Sequence, residues 1–235
     1  LGLLGLLSSM HLHRRQEPLL IFAPQGVAEM IRLMLKLSQT KLSYLIDFQP
    51  LEMHQSTQIY QDEHLTVETI VMHHSLPCVG FLFKEKPKKP KVLIEKLPEN
   101  PPLEHILQLK NKQNVLDEQG NILYAWQDYT QPAPSHTFAH CADTQYFEDI
   151  IPQIQGADLI YHEATFLHQD LQKAQETYHS TALQAAQIAQ KAQVKKLVIG
   201  HFSNRYKNLE LFLQEARSVF PNTFLGLEGQ EFTTE

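Results

Sequence analysis

Short apolar runs of strand length alternate with helical patterns along this chain, and that alternation restricts its fold more than any other feature. Runs at 19–23, 136–142, 157–161 and 196–200 read as strands, the first closed by Pro24-Gln25-Gly26. Apolar residues recur at helical spacing through Val27, Met30, Ile31, Met34 and Leu35, and again over 146–154, 181–192 and 208–220. Leu65, Val67, Thr69 and Val71 alternate with the period of two that belongs to a strand, and 79–83 follows as its partner. Strands alternating with helices define an α/β protein. No repeat of fixed period runs through the 235 residues, and 43% hydrophobic content is enough for one sizeable core.

The pattern breaks between Lys84 and about Ser135. That stretch holds most of the prolines, a Lys-Glu-Lys-Pro-Lys-Lys-Pro-Lys run and little continuous apolar sequence, so it reads as an inserted arm over 84–135. Between Lys84 and Lys112 there are eight Lys against four Glu (Glu85, Glu95, Glu99, Glu104), a local excess of four. Such a run is either a solvated linker or a basic contact surface. The whole chain carries a net charge of −6, which argues against indiscriminate coating of nucleic acid but leaves room for one local patch.

Two cysteines, Cys78 and Cys141, point to a reducing, cytoplasmic setting rather than a disulfide framework. No segment approaches the roughly 18 apolar residues of a membrane span. The apolar start, residues 1–7, has neither a basic lead nor an initiator Met, which reads against a signal peptide; it opens in mid-pattern, as a chain lacking its N-terminal part.

Thirteen histidines are an excess to be traced, because imidazole is the commonest metal ligand and acid–base group. Four polar clusters follow expected strands: His73-His74-Ser75, Asp143-Thr144, His162-Glu163-Ala164-Thr165 and His201-Phe202-Ser203. A fifth, His179-Ser180-Thr181, precedes a helix, with Ser180 the expected N-cap. In α/β layouts ligand sites assemble at the carboxyl ends of strands. Imidazole and carboxylate groups converging there suit Zn²⁺ or a comparable divalent ion, and a carboxylate is able to bridge two of them. A single His after a strand is commonly a hydrogen-bonded loop residue, so spacing alone leaves both readings open.

Residue by residue, these motifs resemble the ribonuclease Z family. The segment Leu1-Gly2-Leu3-Leu4-Gly5-Leu6-Leu7-Ser8-Ser9 is similar to the one that follows the family's His-x-His-x-Asp-His metal motif, which the chain does not contain. His74-Ser75-Leu76-Pro77 with Gly80-Phe81 resembles the next ligand motif, and Ala142-Asp143-Thr144 the bridging-aspartate motif. His162-Glu163-Ala164-Thr165-Phe166 and His179-Ser180-Thr181 are similar to two loops that separate ribonuclease Z from other metallo-β-lactamase-fold hydrolases. His201-Phe202-Ser203-Asn204-Arg205-Tyr206 resembles the last ligand motif.

The resemblance implies an α/β metallo-β-lactamase-fold αββα sandwich, N-terminally incomplete, forming a single domain over 1–235 with the arm inserted. It implies a zinc-dependent endoribonuclease that cleaves the 3′ trailer from precursor tRNA by metal-hydroxide attack on a phosphodiester, with two Zn²⁺ per subunit or other divalent ions in their place. By the same resemblance His74, Asp143 and His201 are metal ligands, Asp143 bridging, while His179 is the proton donor to the leaving oxygen and Glu163 orients it. Precursor tRNA is the implied partner, a homodimer the implied assembly, and no membrane is involved. An arm at this place grips the tRNA elbow in that family, although this one lacks the Gly-Pro signature common there. His162 is expected to be structural, His73 a neighbour of the site, and Cys141 a small buried residue. The competing readings are a phosphodiesterase or arylsulfatase of the same fold acting on small esters, and a non-catalytic RNA-binding relative.

Overall fold

The computed structural model describes residues 2–234; Leu1 and Glu235, the ends of the span read as one domain, lie outside the described residues. Helix α1 (Gly2–Leu12) leads into strand β1 (Leu19–Ala23), helix α2 (Val27–Leu37) and strand β2 (Ile46–Pro50), which pairs in parallel with β1. Leu7, Ile31 and Tyr44 are the buried centre of this unit. Gly26, at φ 92°, turns the chain from β1 into α2 in a conformation that favours glycine.

Strands β3 (Gln58–Gln61), β4 (Leu65–Met72) and β5 (Cys78–Glu85) form an antiparallel meander. The excursion that follows carries short strands β6 (Lys91–Val92), β7 (Val115–Leu116), β8 (Ile122–Tyr124) and β9 (Thr130–Gln131), and helices α3 (Leu103–Lys110) and α4 (Trp126–Tyr129). Pairing of β6 with β9 closes its base. Val92, Leu97, Leu109 and Val115 give it a small core of its own, so it is folded and not a mere linker.

The chain rejoins the main sheet at β10 (Thr137–Cys141). A 3-10 turn (Glu148–Ile150) and helix α5 (Ile151–Ile154) then lead to β11 (Leu159–Glu163). Helices α6 (Leu171–Glu176) and α7 (Ala182–Lys191), β12 (Leu197–Gly200), helix α8 (Glu210–Arg217) and β13 (Thr223–Leu225) complete it. The seven-stranded order is β13-β12-β11-β10-β5-β4-β3, parallel from β13 to β10 and antiparallel beyond. One face packs Ile70, Leu82, Ala139, Ile160 and Ile199 against Ile154, Ala185, Ile188 and Phe212 of the helices. The other faces α1 and β1 across an apolar cleft of about 710 Å³, where Leu3, Met10 and Ile21 look toward Val67, Phe81 and Phe83. The layers therefore run α, β, β, α, the sandwich expected from the motifs.

Gly80 shows how closely β5 and β10 approach: an added Cβ would collide with the His140 carbonyl and the Met72 methyl. Two expectations need adjustment. The helix expected over 146–154 is reduced to the 3-10 turn and the four residues of α5, because Pro152 supplies no backbone donor and Gly156, at φ 69°, ends the segment. Strand β11 is displaced two residues from the expected 157–161, so His162 and Glu163 end the strand and do not follow it. Among the described residues no helix is long and apolar enough to cross a membrane.

Candidate metal centre

The parallel strands deliver the polar clusters to one pole of the sheet. Asp143 lies two residues past β10, Glu163 ends β11 and His201 directly follows β12. The ligand atoms of Asp143, His179 and His201 lie within 4.8 Å of one another. Asp143 Oδ1 is 3.6 Å from His201 Nε2, and both side chains are substantially exposed. His74, from the loop after β4, completes the group at one remove: its ring centroid is 5.2 Å from that of His179, which is 5.3 Å from that of His201. Four of the five residues singled out in the sequence thus converge, His179 with its ligand atoms close to those of Asp143 and His201 and His74 beside it.

Glu163 organises this pole from below. Its side chain is fully buried and accepts five hydrogen bonds: from His179 Nδ1 at 2.7 Å, Thr165 Oγ1 at 2.8 Å, and the N–H groups of Thr144, Thr165 and Ser180 at 2.9, 3.1 and 3.1 Å. Burial alone would raise its pKa, but the hydrogen bond and charge of His179 and the donors from Thr144 and Thr165 hold it below the ordinary value. An ionised carboxylate accepts and does not donate, so the Thr165 hydroxyl proton is committed to Glu163. The same pair acts in reverse on His179, whose hydrogen bond to Glu163 lifts its pKa against the opposing effect of burial.

These bonds fix the imidazole tautomers. His179 Nδ1 donates to Glu163. His201 Nδ1, 2.8 Å from a Thr165 hydroxyl that has no proton to spare, must be the donor in that pair. His74 Nδ1 donates to the Tyr178 carbonyl at 3.0 Å. All three rings therefore have Nδ1 occupied and Nε2 left free, to offer a lone pair when the ring is neutral or a proton when it is charged; a second hydrogen bond of this kind orients each ligating ring at metal sites. With the Asp143 carboxylate added, this oxygen and nitrogen donor set fits a borderline divalent ion such as Zn²⁺.

The backbone at the site is strained in two places. His201 has φ 61° and Tyr178 φ 59°, left-handed values that cost a non-glycine residue about 1–2 kcal/mol. The turn at His201 swings its ring off the end of β12 toward Asp143. Gly200 precedes it because a Cβ there would strike the Tyr161 ring.

One expected role is corrected. Thr181, not Ser180, is the N-cap of α7: its hydroxyl accepts from the Gln184 N–H and Gln184 reaches back to the Thr181 N–H, a capping box. Ser180 instead donates to the Thr144 carbonyl at 2.7 Å, tying the loop before α7 to the Asp143 loop. His162 is buried, with Nδ1 on the Glu163 carbonyl at 2.7 Å, and His73 packs edge-on to Phe147. Cys141 is fully buried, and burial pushes its thiol up to about 12, leaving it a packing residue and not a nucleophile. Sequence reasoning missed Thr165 as the link between Glu163 and His201, and the Tyr178 carbonyl as the partner of His74. The period of two that sets Glu163 and Thr165 on one side was the available signal for the first; the second had none.

The family model for the beta-lactamase superfamily domain matches residues 113–202, which include Asp143, Glu163, His179 and His201. Ribonuclease Z of Cytophaga hutchinsonii is 46% identical over 232 residues, 98% of this chain and 74% of that protein. Ribonuclease Z of Bacteroides fragilis is 40% identical over 231 residues, 97% of this chain and 75% of that protein. Among solved structures, human tRNase Z, short form, superposes with a TM-score of 0.66 at 20% identity, over 100% of this chain and 74% of that one. A metallo-beta-lactamase fold protein from Bacillus subtilis gives 0.58 at 15% identity, over 94% and 68%. The two structural likenesses speak to the fold.

Proposed function

The chain belongs to the ribonuclease Z family, and from that premise we propose that it serves as a zinc-dependent endoribonuclease releasing the 3′ trailer of precursor tRNA. The observation that carries the reading is the hydrogen-bond pattern: three imidazoles with Nδ1 held and Nε2 free beside one accessible carboxylate, two of them suited to a metal and one to a proton. A divalent metal bound there supplies Lewis-acid activation of water and of the phosphoryl group. His74, Asp143 and His201 would hold it.

His179 has a different part. Glu163 orients its ring and raises its pKa above the ordinary imidazole value, which suits a proton donor to the leaving oxygen. The lysines between β5 and β10 are the surface for the tRNA backbone, since phosphate contacts add affinity without reading sequence. A homodimer belongs to the same proposal: Met30, Leu33 and Leu37 expose one apolar face of α2 that a second copy would cover.

The test of this division of labour is metal content measured beside turnover. Asp143→Ala should lose metal and activity together. His179→Ala should keep its metal yet cleave roughly 10²–10⁴-fold more slowly, the usual worth of a positioned acid. Metal loss in His179→Ala as complete as in Asp143→Ala would make His179 a ligand and refute its role as the acid.

A further inference from the structure

Tyr178 stands at the rim of the metal centre in a backbone conformation that glycine would adopt without strain. It directly follows Thr177, the C-cap of α6, and its φ of 59° is the left-handed value that ends many helices, usually at Gly or Asn. Its carbonyl holds His74, a task that glycine would perform equally well. The side chain therefore calls for its own reason. Tyr178 is 38% exposed, and its ring lies 6.4 Å from the His74 ring and 6.1 Å from the His73 ring. Its hydroxyl has no hydrogen-bond partner among the described residues. An aromatic face of this kind, rigidly placed one residue from His179 and open to solvent, is suited to stacking.

We propose that Tyr178 stacks on the base of a nucleotide flanking the scissile phosphate, and so sets the RNA strand in register with the metal centre. The proposal rests on the reading of the site as an RNA-cleaving centre. Tyr178 is on this account a positioning residue: it takes no part in proton transfer, and it favours any base, because every base offers a π face.

The test measures equilibrium binding of a 3′-extended precursor tRNA with a non-cleavable scissile linkage to the metal-loaded protein, so that the strand stays intact. The intact RNA is compared with versions made abasic at each of the two nucleotides flanking the cleavage site. For the unaltered protein, one abasic site should weaken binding by about 5- to 150-fold, the worth of a single base–aromatic stack. Tyr178→Phe should keep that discrimination. Tyr178→Gly, which retains the carbonyl and relieves the backbone, should bind intact RNA as weakly as abasic RNA, a ratio near one. A merely structural role would weaken both RNAs alike and leave the ratio unchanged, which would overturn the proposal. Indifference of the unaltered protein to both abasic sites would overturn it too. Failure of the unaltered protein to bind precursor tRNA at all would instead bring down the RNA reading on which it stands.

Discussion

The body of the sheet and the excursion between β5 and β10 are built on opposite principles. In the body, Ile70, Ile160, Ile188 and Phe212 have no exposed surface, and one carboxylate, Glu163, is fully buried and saturated with hydrogen bonds. In the excursion the buried apolar cluster has four members, the strands are two or three residues long, and the charges face solvent. Lys88 pairs with Glu85 and Lys89 reaches Asn111, while Lys86, Lys91 and Lys110 have no carboxylate partner among the described residues. The two regions should accordingly open with different free energies.

Truncating each core is the strongest way to break that contrast. Phe212→Ala should cost about 3–5 kcal/mol and lower amide protection throughout the sheet. Leu109→Ala should cost about 2–5 kcal/mol, with faster exchange confined to amides between β5 and β10. If hydrogen exchange rose equally across the sheet in Leu109→Ala, the arm and the body would form one cooperative unit and the contrast would fail.

Charge provides a second, smaller lever. Replacing Lys86, Lys88, Lys89 and Lys91 by Ala should weaken processing of precursor tRNA and leave hydrolysis of a small phosphodiester nearly unchanged. For every phosphate that a removed lysine had neutralised, the slope of log affinity against log salt should flatten by about 0.7–0.9. Equal losses on the two substrates would deny the arm any role specific to RNA.

The smallest effect sharpens the comparison where the arm rejoins the body. Asp158, almost fully buried, accepts from the Thr137 N–H at 2.6 Å, the Thr137 hydroxyl at 3.1 Å and Lys195 Nζ at 2.6 Å, fastening the start of β10 to that of β11. Burial would raise its pKa, but Lys195 and Thr137 outweigh it and hold the value below 3.8. A depressed carboxylate contributes stability that is complete above its unfolded pKa and is lost as pH falls through the folded one. Asp158→Asn should therefore be less stable than the unaltered protein at pH 7, by about 1–3 kcal/mol, and the gap should narrow below pH 3.8 in acid melts. A gap independent of pH would show that shape, and not charge, makes the clasp.

Much of this was legible in the residues themselves. Period two marked β4 and its partner β5, and the apolar run at 19–23 coincides with β1. Polar residues placed after successive strands anticipated a shared pole, because parallel strands carry their carboxyl ends to one side. Boundaries were less legible: β11 lies two residues from its expected place, and Thr181 displaced Ser180 as the cap because only Thr181 has Gln184 three residues on. The small core of Val92, Leu97, Leu109 and Val115 was hidden, since its members are too scattered among prolines and lysines to form a periodic pattern.

The sequence by itself determined the α/β alternation, the order of the polar clusters and the family to which they belong, all of which are local patterns of spacing and residue type. Tertiary structure decided which atom of each imidazole is free, that His179 falls within metal-binding distance of Asp143 and His201, and that a tyrosine occupies a left-handed position at the rim. The physical reason is range. A hydrogen bond such as that from His74 to the Tyr178 carbonyl joins residues 104 apart, and no periodicity in the chain records a contact that exists only once the sheet has brought both loops to the same end.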